Sequence, residues 1–189
     1  MVWKFTPLVN VDEESGRVIL LGGLIDISEK TSKHSQSDKI KSTFDIADKD
    51  YQMLQMNFSN VKATIVNNDD KKISYECTGL NHPTILKDNK VFSLDFNQSP
   101  VKKCIFKIPK NLDLKVDATN AKFTLKKLNN NMNLSLINAK VKLLPDSLAK
   151  YFYNLQVLNG KIDTFEGSDD ASAYKVTIKI TNGKIQQRE

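Results

Sequence analysis

The chain has 189 residues, enough for one domain around a single core, and Leu, Ile, Val and Phe supply 55 of them, which excludes global disorder. Seven Gly and five Pro exclude collagen-like and low-complexity classes. The net charge of +6 comes from 26 Lys and only two Arg (Arg17 and Arg188), so bidentate recognition of phosphates or guanine edges has little to work with, and sequence-specific nucleic-acid binding is not expected.

Two strand-like runs, Trp3–Val11 and Arg17–Ile27, open the chain and are separated by a turn at Glu14-Ser15-Gly16. The apolar stretch Val18–Ile25 is far short of the ~20 residues a spanning helix needs. Acidic Asp12, Glu13 and Glu14 precede it, where an export signal carries positive charge. The chain as it stands therefore reads as cytoplasmic; a leader already removed would leave the same sequence on a protein of the cell envelope or surface. Residues 29–43 are polar and read as a loop or linker. This divides the chain into an extension, 1–43, of strands and polar loop packing on the remainder, and a main domain, 44–189.

From Phe44 onward strands alternate with turns. Met56–Val66 ends at the turn Asn67-Asn68-Asp69-Asp70, and Lys71–Cys77 follows with Ile73, Tyr75 and Cys77 on one face. Lys90–Phe96 and Val101–Ile108 repeat the texture, the latter stopped by Pro109. The one segment with helical signals is Asp146–Tyr153, entered after Pro145 with Asp146 placed as an N-cap.

Cys77 and Cys104 are the only cysteines. In a chain without an export signal they are expected as two reduced, buried thiols; pairing in an oxidising compartment is the alternative. With no Cys-x-x-Cys and with His34 and His82 far apart in sequence, no metal site and no cofactor are expected.

The most specific pattern lies in the last eighty or so residues. Four segments share apolar–x–apolar–x–Asn–(Ala or Gly)–Lys–apolar: Leu114–Phe123, Leu134–Val141, Leu155–Ile162 and Ile178–Ile185. Their asparagines, Asn120, Asn138, Asn159 and Asn182, are spaced by 18, 21 and 23 residues, and Asn60-Val61-Lys62 reads as a degenerate fifth copy. A period near twenty residues with one bent strand pair per repeat is the signature of a solenoid, in which stacked rungs share a core that no rung can bury alone. Asn followed by a small residue suits a corner, because Asn tolerates positive φ, and equivalent Asn side chains can hydrogen-bond in a ladder. An antiparallel meander with recurrent Asn-Gly hairpins is the competing arrangement.

On these four copies the sequence resembles the bacterial putative adhesin family of toast-rack β-solenoid domains. The resemblance extends to the entry pattern Leu54–Ile65, the acidic turn Asn68-Asp69-Asp70, the strand Ile73–Tyr75 and the Pro-terminated strand Ile105–Leu112, covering roughly residues 44–187. It implies a mainly β, single-stranded right-handed β-solenoid with an N-terminal strand and loop extension. It also implies a non-enzymatic scaffold or binding module of the adhesin type.

No nucleophile elbow, zinc-protease helix, dinucleotide fingerprint or P-loop occurs. The enzyme alternative is a polysaccharide-active β-helix using the carboxylates of Asp163, Glu166, Asp169 and Asp170, although their spacing matches no regular calcium loop. Lys122, Lys140, Lys161 and Lys184 occupy one repeat position and are expected to stack into a basic stripe, either a solvated face that blunts association or a docking strip for an anionic polymer such as a glycan. Tyr151, Phe152 and Tyr153 interrupt the repeats, packing over the side of the stack or offering a platform to a sugar or protein partner.

Overall fold

The computed structural model describes residues 9–12, 17–20, 23–25, 38–47, 50–79, 81–99, 101–110, 112–163 and 165–188. The chain forms two compact units, Met1–Gln36 and Ser37–Glu189. In the first, β1 (Val9–Asp12), β2 (Arg17–Leu20) and β3 (Gly23–Ile25) pair antiparallel in the order β1-β2-β3. The expected second run is thus two strands. His34 and the interior of the expected linker lie outside the described residues.

The expected boundary at residue 43 falls inside a strand. β4 (Lys39–Asp45) pairs antiparallel with β7 (Lys72–Gly79), and Ile40 is buried. Lys and Ser between Ile40 and Phe44 gave this segment its polar look, but a strand with one face in solvent needs apolar residues only at alternate positions.

The second unit is mainly β, with no helix among the described residues. β5 (Met53–Ser59) and β6 (Lys62–Asn68) are two arms of one rung, broken at Asn60 where φ is 55°. β8 (Thr84–Asp88) and β9 (Val91–Asp95) form a hairpin, and β10 (Val101–Pro109) completes a rung with β9. The next rung is β11 (Asp113–Thr119) with β12 (Lys122–Lys126). β13 (Met132–Leu144), β14 (Tyr151–Ile162) and β15 (Tyr174–Gln187) each run through a corner unbroken.

Neighbouring rungs pair parallel and in register along both arms, in the spatial order β9/β10, β5/β6, β11/β12, β13, β15, β14. The stack is therefore not laid down in chain order. The final strand inserts between β13 and β14, and β9/β10 adds outside β5/β6. Repeats that share a corner motif are equally good neighbours for one another, so the pattern sets the shape of a rung and leaves its position to the connections.

Every second residue points into the space between the arms. Leu54, Met56, Val116, Leu134, Ile178 and Ile65 are fully enclosed. Phe58 joins the arms, stacking on Phe96 at 5.0 Å and meeting Phe106 and Phe123 edge-on at 5.5 and 5.9 Å. Asn130, also buried, donates to the carbonyls of Pro109 and Leu112 and accepts from Asn67, so the polar group it brings inside is satisfied.

Two local expectations are corrected. Asp146–Tyr153 is not a helix: a turn spans 147–149, in which Asp146 accepts from the Leu148 N–H at 3.1 Å, and Tyr151 already begins β14. Proline followed by aspartate opens a turn as readily as a helix, and the β-forming Tyr151-Phe152-Tyr153 decides between them. Cys77 and Cys104 are not free thiols but a disulfide. They stand directly opposite each other in the antiparallel pair of β7 and β10, both facing the core.

Candidate functional site

The asparagine corners carry the geometry on which the candidate site rests. Asn60, Asn120, Asn138, Asn159 and Asn182 all have φ between 51° and 61°. Their side-chain amides form one directional ladder: Asn159 donates to Asn182, Asn182 to Asn138, Asn138 to Asn120 and Asn120 to Asn60, at 3.0–3.1 Å. The ladder holds corresponding residues of each rung at one height. At the residue after Asn, backbones come close enough to exclude a side chain in the last two rungs. A Cβ on Gly183 would lie 1.9 Å from the Ala139 carbonyl oxygen, and one on Gly160 equally close to that of Gly183.

One position further on stands the lysine. Register places Lys122 beside Lys140, Lys140 beside Lys184, and Lys184 beside Lys161, so the stripe expected from the repeats exists with its last two members exchanged. It is also longer than the repeats indicate. Lys62 pairs with Lys122 on its other side, and Lys103 pairs with Lys62. The column Lys103–Lys62–Lys122–Lys140–Lys184–Lys161 crosses the six parallel strands of the second arm, roughly 24 Å at ~4.8 Å per strand. All but the half-buried Lys184 are exposed. Extending the fifth copy one residue beyond its corner finds Lys62; Lys103 has no such signal, because its rung turns at 97–99 without the Asn motif.

Among the described residues, Asp163 is the acidic partner of the column, 3.1 Å from Lys184 and 3.9 Å from Lys161. Lys62, Lys103, Lys122 and Lys140 make no ion pair within the described residues. Other carboxylates are engaged elsewhere: Glu76 is held below the usual carboxylate range by hydrogen bonds from Lys39 and Lys41, and Asp69 by Lys110.

Asp163 and Asp170 of the carboxylate loop are held by different partners. Asp170 is pulled far below its ordinary pKa by the Lys150 ammonium and by the Ser172 hydroxyl and amide, an Asx turn closed by an ion pair. Asp163 is directed to the lysine column, while Asp163 and Asp169 line a groove of about 430 Å³ with Phe152, Tyr153 and Phe165. No group of three or more His, Cys, Asp or Glu side chains converges among the described residues. His82 is exposed, with its Nδ1 2.8 Å from the Tyr75 hydroxyl.

The aromatic triplet is divided by strand alternation. Tyr151 is buried, its hydroxyl donating to Asn129 and accepting from the Asp146 amide. Tyr153 stacks on Tyr151 at 5.8 Å and meets Phe165 edge-on, and burial pushes its pKa up to about 12. Phe152 alone faces outward, at the opposite end of β14 from Lys161. The outer face of the first arm carries a second feature that sequence reasoning missed, an open groove of about 620 Å³ with both polar and apolar residues along it. Register aligns Asn57, Asp117, Ser135, Lys179 and Gln156 along it.

No family model and no curated protein matches the chain. A solved structure similar to it is a putative cell adhesion protein from Clostridium sporogenes ATCC 15579, at 15% identity over 80% of this chain and 99% of that one, with a TM-score of 0.46. No helix among the described residues is long and apolar enough to cross a membrane.

Proposed function

We propose that the protein is a non-enzymatic, adhesin-type binding module that docks a linear anionic glycan along its lysine column. The observation that carries this reading is the in-register row of six lysines, four of them without a carboxylate partner among the described residues. Each exposed ammonium attracts an anion weakly, but a rigid row engages successive charges of one polymer together, and binding of one charge raises the effective concentration of the next. Lysine suits such a row, being a point charge on a flexible stem that follows a repeating carboxylate or sulfate without demanding one planar geometry. In this reading the parallel stack is a toast-rack-like, right-handed member of the β-solenoid class, and the compartment is the cell envelope, where a Cys77–Cys104 disulfide persists.

The test is binding to polygalacturonate and dextran sulfate, with neutral dextran as control, at about 50 and about 300 mM NaCl. The native protein is compared with Lys62→Gln/Lys103→Gln/Lys122→Gln/Lys140→Gln. Salt-sensitive binding of the native protein to the anionic glycans, weakened roughly tenfold or more in the variant, is the expected result. Equal binding by the two proteins would remove the column from consideration.

A further inference from the structure

The two ends of the stack are finished differently. At one end the outermost strands are β8 and β4. β8 is five residues long, exposed throughout, and carries Lys87 and Asp88; β4 carries Lys39, Lys41 and Asp45. Short, charged edges of this kind resist pairing with another chain. At the other end lies β14, twelve residues long, whose first ten, Tyr151–Gly160, hold no charge and no proline. Its core-facing Leu155 and Val157 are only half-buried, whereas their neighbours on β15, Ile178 and Ile180, are enclosed. The core stops unfinished at this strand.

Backbone direction locates the open stretch. The Tyr151 carbonyl accepts from the Ser168 N–H across the outer edge of β14, while the Lys150 carbonyl accepts from Tyr174 on the inner side. Because successive residues of a strand point their polar groups to alternate sides, the N–H and C=O of Leu155 and Val157 face outward, and no partner meets them among the described residues. The chain's own Gly167 lies beside Tyr151 and Tyr153, and the strand turns away at Asn159. The free, straight edge is therefore Asn154–Leu158.

We infer that this edge pairs with the same edge of a second copy, antiparallel, about a two-fold axis through Gln156. The charge pattern selects a second copy: the other ends of this sheet are blunted, so β14 is the uncharged edge available to it, and the five residues that would pair, Asn154–Leu158, carry no charge in either copy. Centring on Gln156 sets Leu155 opposite Val157 of the other copy, an arrangement in which all four outward backbone groups of each chain are paired. It also extends the core across the axis through the same two side chains, with Leu158, 64% exposed, set against Asn154 on the outer face. A span this short falls at the small end of stable interfaces, so the dimer is expected to dissociate in the micromolar range.

Gln156 supplies the test: its side chain is exposed and its own backbone groups face β15, where Lys179 is its neighbour, so within each monomer Gln156→Glu gains an ion pair and Gln156→Lys a like-charge contact, both read separately from thermal melting. In the dimer the two Gln156 side chains are directly opposite at close separation. The native 189-residue chain, Gln156→Lys, Gln156→Glu and an equimolar mixture of the two variants are compared by sedimentation velocity over a concentration series, with thermal melting to confirm folding. The expected result is a concentration-dependent native dimer, each variant alone at least roughly tenfold weaker, and recovery of the dimer in the mixture. A native protein that stays monomeric at high concentration overturns the inference. So do variants that dimerise as well as the native chain, and so does a mixture that fails to recover, since then the axis does not pass through residue 156.

Discussion

Each corner asparagine has two separable roles. Asn138 holds φ at 51°, a conformation that costs a residue with a Cβ about 1–2 kcal/mol unless its side chain compensates. Its amide also links two neighbours, donating to Asn120 and accepting from Asn182. Substitution separates the two. Asn138→Gly keeps the backbone conformation and removes the ladder bonds, each worth about 0.5–1 kcal/mol at an exposed site. Asn138→Ala removes the bonds and adds the backbone strain. Urea denaturation should place the alanine variant about 2–4 kcal/mol below the native protein and the glycine variant between the two. Equal losses in both variants would mean that the ladder, and not the left-handed backbone, is what the asparagine provides. Neither role requires asparagine to be followed by glycine. Ala121 and Ala139 serve in two rungs, and glycine appears at 160 and 183, where the neighbouring carbonyl approaches too closely for a methyl group.

The strands and their corners were legible in the sequence because alternation and an Asn-small-Lys break are local properties, present in β13, β14 and β15 at full strength. What the chain does between them was not. Lys161 and Lys184 carry the same motif, and only the connection through residues 163–173 puts β15 inside β14. The disulfide was hidden for the same reason. Cys77 and Cys104 lie 27 residues apart, and they meet because the hairpin β8–β9 returns the chain so that β10 runs antiparallel to β7. β7 and β4 have no parallel rung of their own, so this crosslink ties the antiparallel margin of the second arm to the stack. Closing a loop of this length restricts the unfolded chain by about 3 kcal/mol. Chemical denaturation with and without reductant should therefore show a loss near that size, and Cys77→Ala/Cys104→Ala should become insensitive to reductant. A native midpoint unmoved by complete reduction would place the stability of β7 in its packing through Ile73 and Tyr75 instead.

For the molecule as a whole, the proposed role of the lysine column sets stability against binding. Six ammonium groups on adjacent strands bring like charges opposite one another, each contact costing about 0.2–1 kcal/mol, and Asp163 relieves only the Lys184–Lys161 end. The spacing of ~4.8 Å lies inside the ~8 Å screening length at physiological salt, so the repulsion is felt at low ionic strength and fades as salt rises. Exposed ion pairs such as Lys110–Asp69 respond in the opposite sense, weakening with salt, but they are common to the native protein and to a column variant and cancel in the comparison. Lys62→Gln/Lys103→Gln/Lys122→Gln/Lys140→Gln should consequently be more stable than the native chain by about 1–2 kcal/mol near 10 mM salt, the difference closing toward zero by about 0.5 M. Thermal melting across that range is the measurement. A variant less stable than the native protein, or a difference that ignores salt, would assign the lysines to packing through their aliphatic stems. A gain in stability accompanied by loss of glycan binding is the combination that a row of charges kept for an anionic partner requires, because folding alone favours its removal.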